Sequence, residues 1–192
     1  RIRLGHMPQF RQNPITGQWV SNAPNRAERP SDFDDASLPG AVKECPFCEG
    51  NESSTPDEIL ALRPEHTKPN TPGWTVRVVN NKYPFVSQNA ETDQLTPIDS
   101  LCIAQPGLGV QEVIVESPRH VANVTDLSAA EWIDVLSVYR MRLAQLQTDE
   151  RWAYALLFKN SGSAAGASLS HVHSQMIALP FIPPAVAESV VR

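Results

Sequence analysis

The sequence predicts an α+β domain in which a mainly antiparallel sheet packs against one long helix. Three observations lead there. Strand-like segments recur without regular alternation with helices, the pattern of segregated rather than interleaved elements. A single long amphipathic stretch runs from Ser128 to about Gln147. Proline makes up 17 of 192 residues, about 9% against a usual ~5%. Prolines at that density mark short elements joined by shaped loops, which excludes a helical bundle. No period repeats along the chain, which excludes a solenoid.

Taken in order, residues 1–10 read as a disordered N-terminal extension, charged but with no apolar run behind it, so not a secretory signal. The domain is expected over residues 11–180. A turn at Asn13–Gly17 leads into a strand at Gln18–Ser21, followed by a loop rich in Pro, Asp, Ser and Asn. A helical turn is expected at Asp57–Leu62. Trp74–Val79 alternates as a half-buried strand should, and Asn80-Asn81 ends it. Glu112–Glu116 is a second strand, running into Ser117-Pro118-Arg119-His120. Ser128 and Glu131 form a capping box, each side chain satisfying a backbone N–H of the other residue. Behind it, Trp132, Val135, Leu136, Tyr139, Leu143 and Leu146 predict one apolar helix face. Tyr154–Phe158 and Leu169–Leu179 are further strands. Residues 181–192 read as the start of a linker to a second half.

Composition narrows the function classes. The formal net charge is -5, which argues against a general nucleic-acid or anionic-membrane binder. No apolar run is long enough for a membrane span. Three cysteines are too few for a disulfide scaffold and point to a reducing compartment, with cytoplasm as the default.

Two of those cysteines carry chemistry. Cys45 and Cys48 flank Pro46-Phe47, so one tight turn can present two thiolates to a single metal. The proline and the following Glu49-Gly50-Asn51 favour a metal knuckle over a redox pair, which would open a helix; unbound buried thiols are the third reading. A tetrahedral zinc needs two more ligands. Among the histidines, His6 and His66 read as solvated. His120 follows a strand through a Ser-Pro-Arg turn and, by itself, reads as a strand-end surface residue. His171-Val172-His173 differs. On a strand the two rings share a face about 7 Å apart, so one can bind metal while the other serves as base or nucleophile. Gln175 extends the same polar face. Upstream, Asn160–Ser168 is built of small residues whose N–H groups can approach an anion, although it lacks the Walker pattern.

These blocks, in this order, resemble the galactose-1-phosphate uridylyltransferase family, a branch of the histidine-triad superfamily. The resemblance rests on Arg11–Val20, Asn25-Arg26-Ala27-Glu28-Arg29-Pro30, Cys45-Pro46-Phe47-Cys48, Asn80–Pro84, Ser117–His120 and Asn160–Gln175. It implies a histidine-triad-like domain, the N-terminal half of a two-half enzyme. It implies zinc held by Cys45, Cys48, His120 and His171, with His173 as the nucleophile attacking the α-phosphorus of a nucleotide sugar. Gln175 would donate to a phosphoryl oxygen. Asn160, Gly166 and Ser168 would contact phosphates, while Phe47 and Asn81 would lie near base and ribose. Arg26 and Arg29 would reach the phosphates of a neighbouring subunit, implying a homodimer. The implied reaction is ping-pong transfer of UMP between UDP-glucose and a hexose 1-phosphate, galactose 1-phosphate. Lys82 stands where some members carry an acidic residue, Val172 where many have proline, and Ser174 where some have glycine. The related plant-type ADP-glucose phosphorylases also use serine there. Phosphorolysis of ADP-glucose is therefore the alternative reaction, and a non-catalytic zinc-binding module the alternative of another class.

Overall fold

The computed structural model describes residues 7–28, 45–90, 96–97 and 103–190. The described strands form two sheets, and every pairing between them is antiparallel. The smaller sheet holds β1 (Gln9–Gln12), β2 (Trp19–Asn22), β5 (Thr96–Pro97) and β6 (Ile103–Pro106), in the order β2-β1-β6-β5. The β1–β2 hairpin turns where expected: the Asn13 carboxamide oxygen accepts from the N–H groups of Ile15 and Thr16. The domain starts earlier than residue 11, however. β1 begins at Gln9, and Phe10 is buried against Val86, Ile177 and Leu179. That apolar contact, absent from any local pattern, orders the segment.

The larger sheet holds β3 (Glu58–Leu62), β4 (Val76–Asn80), β7 (Val110–Val115), β8 (Tyr154–Phe158) and β9 (His173–Leu179), in the order β3-β4-β7-β9-β8. The helical turn expected at Asp57–Leu62 is instead strand β3, because ladder pairing with β4 overrides a weak local preference. One face of this sheet meets helix α1 (Ala129–Gln147), in a core of Val76, Val78, Ile114, Val135, Val138, Leu146, Met176 and Ala178. Each valine, leucine, isoleucine or methionine there contributes roughly 1.5–3 kcal/mol when fully buried. The capping box is present as expected, with Ser128 and Glu131 each satisfying the other's backbone N–H. No helix among the described residues is long and apolar enough to cross a membrane. A second helix, α2 (Pro184–Val190), lies in the stretch expected to open a linker.

The inward face of α1 differs in part from the expected one. Trp132, Val135, Tyr139 and Leu146 pack inward, but Leu136 is 57% exposed and Leu143 36% exposed. Val138 and Arg142 take their places. Arg142 is drawn in by Glu112 of β7, which is fully buried and receives the guanidinium through Nε at 2.7 Å and Nη2 at 2.6 Å. A buried carboxylate requires such a partner, and the helix rotates its apolar stripe to supply it.

Candidate active site and metal centre

β9 lies between β7 and β8, and its alternation sorts its side chains. Met176 and Ala178 pack in the helix-side core, while Ile177 and Leu179 join the cluster on the opposite face. His173 and Gln175 share that opposite parity and line a cavity of about 310 Å³. The strand begins at His173, not at Leu169 as expected. Residues 169–172 bend across the end of β7, where the Val172 N–H donates to the Val121 carbonyl. His171 therefore sits in a bend rather than on the strand, and its ring turns toward the Cys45–Cys48 loop.

There the structure brings four side chains together. Cys45, Cys48, His120 and His171 each offer one ligand atom, all within 4.8 Å of one another. His171 Nδ1 lies 3.5 Å from Cys45 Sγ and 3.7 Å from Cys48 Sγ, and His120 Nδ1 lies 3.5 Å from Cys48 Sγ. A tetrahedral centre with Zn–S of about 2.3 Å and Zn–N of about 2.0 Å has S···N edges of roughly 3.5 Å. The donor set fits a borderline-soft divalent ion. His171 Nε2 donates to the Ser117 carbonyl at 2.8 Å; since a carbonyl can only accept, Nδ1 keeps the lone pair that faces the thiols. Burial pushes the Cys45 thiol up to about 11 and the His171 imidazole down to about 4. Both shifts favour the uncharged forms of Cys45 and His171, and a bound cation would offset the desolvation that causes them. His120 is exposed, as expected for a strand end, yet it joins the cluster. The cysteine turn opens no α-helix, and only a 3-10 turn at Glu52–Ser54 follows it, unlike the helix start on which a redox pair sits.

Phe47 bridges the two centres. Its ring lies 6.0 Å from His171 and 5.2 Å from His173, edge-on to both. His173 Nδ1 donates to the His171 carbonyl at 2.7 Å, so Nδ1 carries the proton and Nε2 the lone pair. Gln175 is oriented by a residue that sequence reasoning missed. The Phe85 N–H donates to Gln111 Oε1 at 2.8 Å, which obliges Gln111 Nε2 to donate to Gln175 Oε1 at 2.9 Å. The Asn81 amide donates to the same oxygen at 3.4 Å. With its oxygen so occupied, Gln175 presents its NH2 as donor. The available signal was a glutamine inside an apolar strand: Gln111 is buried, paired with Ile177 of β9, and accepts the Asn81 N–H on its main-chain carbonyl.

Residues 3–183 match the family model described as galactose-1-phosphate uridyl transferase, N-terminal domain. The chain belongs to the galactose-1-phosphate uridylyltransferase family. It is 38% identical to an ADP-glucose phosphorylase of Arabidopsis thaliana, over 94% of this chain and 51% of that protein. It is 29% identical to the galactose-1-phosphate uridylyltransferase of Haemophilus influenzae, over 94% of this chain and 49% of that one. Among solved structures, the Arabidopsis ADP-glucose phosphorylase with bound ADP-glucose superposes with a TM-score of 0.63 at 37% identity, over 94% of this chain and 51% of that one. A uridylyltransferase superposes with a TM-score of 0.68 at 28% identity, over 95% and 49%. The chain spans about half the length of the curated relatives it matches.

Within this uridylyltransferase-family fold, the expected site residues fall into three groups. Phe47, Asn81, Gly166 and Ser168 line the same cavity as His173 and Gln175. Gly166 has φ +80°, a left-handed conformation that the turn requires and that glycine adopts without cost. Asn160 lies instead on a small crevice of about 20 Å³ shared with Lys159, Ser170 and both His171 and His173. Arg26 is held on its own chain, donating to the Tyr83 carbonyl at 2.9 Å and stacking over Phe85. Arg29 lies outside the described residues.

Proposed function

We propose that this chain carries the nucleophile of a hexose-1-phosphate nucleotidyltransferase. The observation that carries the proposal is the paired orientation of His173 and Gln175 on one cavity wall: Nδ1–H of His173 fixed on a carbonyl, and Gln175 fixed as a donor. His173 Nε2 attacks the α-phosphorus of a nucleotide sugar. A P–N bond forms, and the P–O bond to the sugar 1-phosphate breaks with its electron pair leaving on that oxygen. An acceptor phosphate oxygen then attacks the same phosphorus and releases His173. The Gln175 NH2 donates to the phosphoryl oxygen as charge builds, and Asn81, Gly166 and Ser168 hold the donor. Cys45, Cys48, His120 and His171 hold zinc. With four protein side chains available as ligands, the ion would supply structure there, tying the cysteine loop to the segment that leads into β9.

ADP-glucose as donor, with inorganic phosphate as acceptor, is supported by the 38% identity to the Arabidopsis ADP-glucose phosphorylase and by Ser174. UDP-glucose with galactose 1-phosphate is the second reading, supported by the family model and the Haemophilus relative. A homodimer is supported by the family match alone. The experiment is intact-protein mass spectrometry of the zinc-loaded, longest available chain after brief incubation with each nucleotide sugar, followed by peptide mapping. An adenylyl or uridylyl group on His173 is expected, and its mass identifies the donor. No adduct from either donor would overturn the transferase reading in favour of a zinc-binding module.

A further inference from the structure

β8 and β9 pair from Tyr154↔Leu179 to Phe158↔Gln175, and there the pairing stops. Continuing the register would set Asn160 opposite His173, but the chain has left the strand by Lys159 and turns into the small-residue loop. The departure opens the loop beside the cavity. It also removes β8 as a partner for the strand end that bears the nucleophile.

A side chain fills the gap. Lys159 Nζ donates to the main-chain carbonyl of His173 at 2.8 Å. The same ammonium pairs with Glu116 Oε2 at 2.5 Å. Glu116 is fully buried just past the end of β7, and its other oxygen accepts from the hydroxyls of Tyr139 on α1 and Ser174 on β9. Ser174 stands between His173 and Gln175, and its hydroxyl also meets that of Tyr139 at 2.7 Å. The backbone carrying both cavity-facing residues is thus clamped from the helix side through one carboxylate with every oxygen satisfied. A buried network so complete rigidifies what it binds, and a buried carboxylate at this depth persists only with its cation.

We infer that Lys159, held by Glu116, is a positioning residue for His173: its ammonium replaces the missing β8 ladder bond at the nucleophile and fixes that residue for attack. The inference rests on the nucleotidyl-His173 reading, and its test separates the two. Lys159 reaches the His173 main chain but does not line the cavity of about 310 Å³, so its loss should slow the chemical step without weakening donor binding. A misplacement of the nucleophile by about 1 Å costs on the order of 100-fold in rate.

The test is Lys159→Met in the full zinc-loaded chain, with rapid-quench labelling of His173 by ADP-glucose and by UDP-glucose. The maximal labelling rate should fall by about 10- to 100-fold, with the half-saturating donor concentration changed less than about 3-fold. Lys159→Arg, which keeps a cationic donor, should recover most of the rate. Lys159→Met paired with Glu116→Gln removes both charges together and serves if the single variant misfolds. Either folded variant labelling at the wild-type rate overturns the inference. Should the wild type form no adduct, the transferase reading fails instead, and hydrogen exchange over residues 171–176 decides this one. Faster exchange there in the variant, with the rest of β9 unchanged, supports the clamp; unchanged exchange overturns it.

Discussion

On the helix side of the five-stranded sheet, Glu112 and Glu116 are completely buried and each oxygen receives a donor from Arg142, Lys159, Tyr139 or Ser174. On the cavity side, His173 and Gln175 are nearly as buried, yet both line a cavity, His173 oriented through Nδ1 and Gln175 through Oε1. The same strands supply both faces. The difference teaches how to read a buried polar residue here: a group enclosed in the core by its own fold supports structure, whereas a group oriented onto a cavity wall serves a ligand. Substitutions on the cavity side should therefore move chemistry and spare stability, and those on the helix side should do the reverse.

The sharpest break in that comparison is His173→Gly. Adduct formation should fall below detection while the unfolding midpoint stays near wild type; an adduct of normal yield would remove His173 from the mechanism. Cys45→Ser sits where the two sides join, since the metal centre ties a loop to the start of β9. It should lower bound zinc, measured by atomic absorption, and the thermal midpoint together, because binding energy at such a site is folding energy. Retained zinc at one ion per chain would count against this ligand set.

Arg142→Met tests the helix side. It leaves Glu112 buried without its cation, at an expected cost of about 3–5 kcal/mol in denaturant unfolding. The labelling rate of the fraction still folded should be unchanged. Gln111→Glu is a smaller and more selective change on the cavity side. The isosteric carboxylate cannot donate to Gln175 Oε1, so Gln175 turns its NH2 inward. The chemical step should slow by roughly 10-fold with donor half-saturation little altered. A proportional change in both would indicate a binding role.

The smallest effect is at the helix cap. Ser128→Ala should cost about 1 kcal/mol and leave labelling intact. Its partner Glu131 is held down to about 2 by the Arg119 guanidinium and the Ser128 N–H. A carboxyl depressed in the folded state adds stability above its ordinary range and loses it as pH falls through the folded value. Stability should decline between about pH 4.5 and pH 2, and Arg119→Ala should flatten that decline in acid titrations followed by circular dichroism.

The legible parts of this molecule were those fixed by neighbours in sequence. The capping box at Ser128 and the C-x-x-C turn depend on contacts within a few residues, and each appears where its pattern put it; the Tyr154–Phe158 strand does too, its aromatic and apolar run agreeing with its pairing to β9. Asp57–Leu62 was misread because its strand identity comes from β4. Leu136 and Leu143 were misassigned because the helix turned to bring Arg142 to Glu112. That pairing had a faint trace: Glu112 in β7 and Glu116 just past its end fall on the same face as Val110 and Ile114, a pattern that demands cations from elsewhere.

For the site, the sequence by itself determined which chemistries were present: two thiols three positions apart, two histidines in H-x-H spacing, a glutamine two further on, and a small-residue loop. Those follow from residue identity and short spacing. Only the tertiary structure decided how they are used. It turned His171 out of the strand toward the cysteines, brought the exposed His120 from 72 residues away to complete the four, and set Gln111 and Lys159 behind the two cavity-facing side chains. The physical reason is that proton placement and ring orientation are fixed by hydrogen-bond partners, and the partners of His171 and Gln175 come from strands and loops distant in the chain.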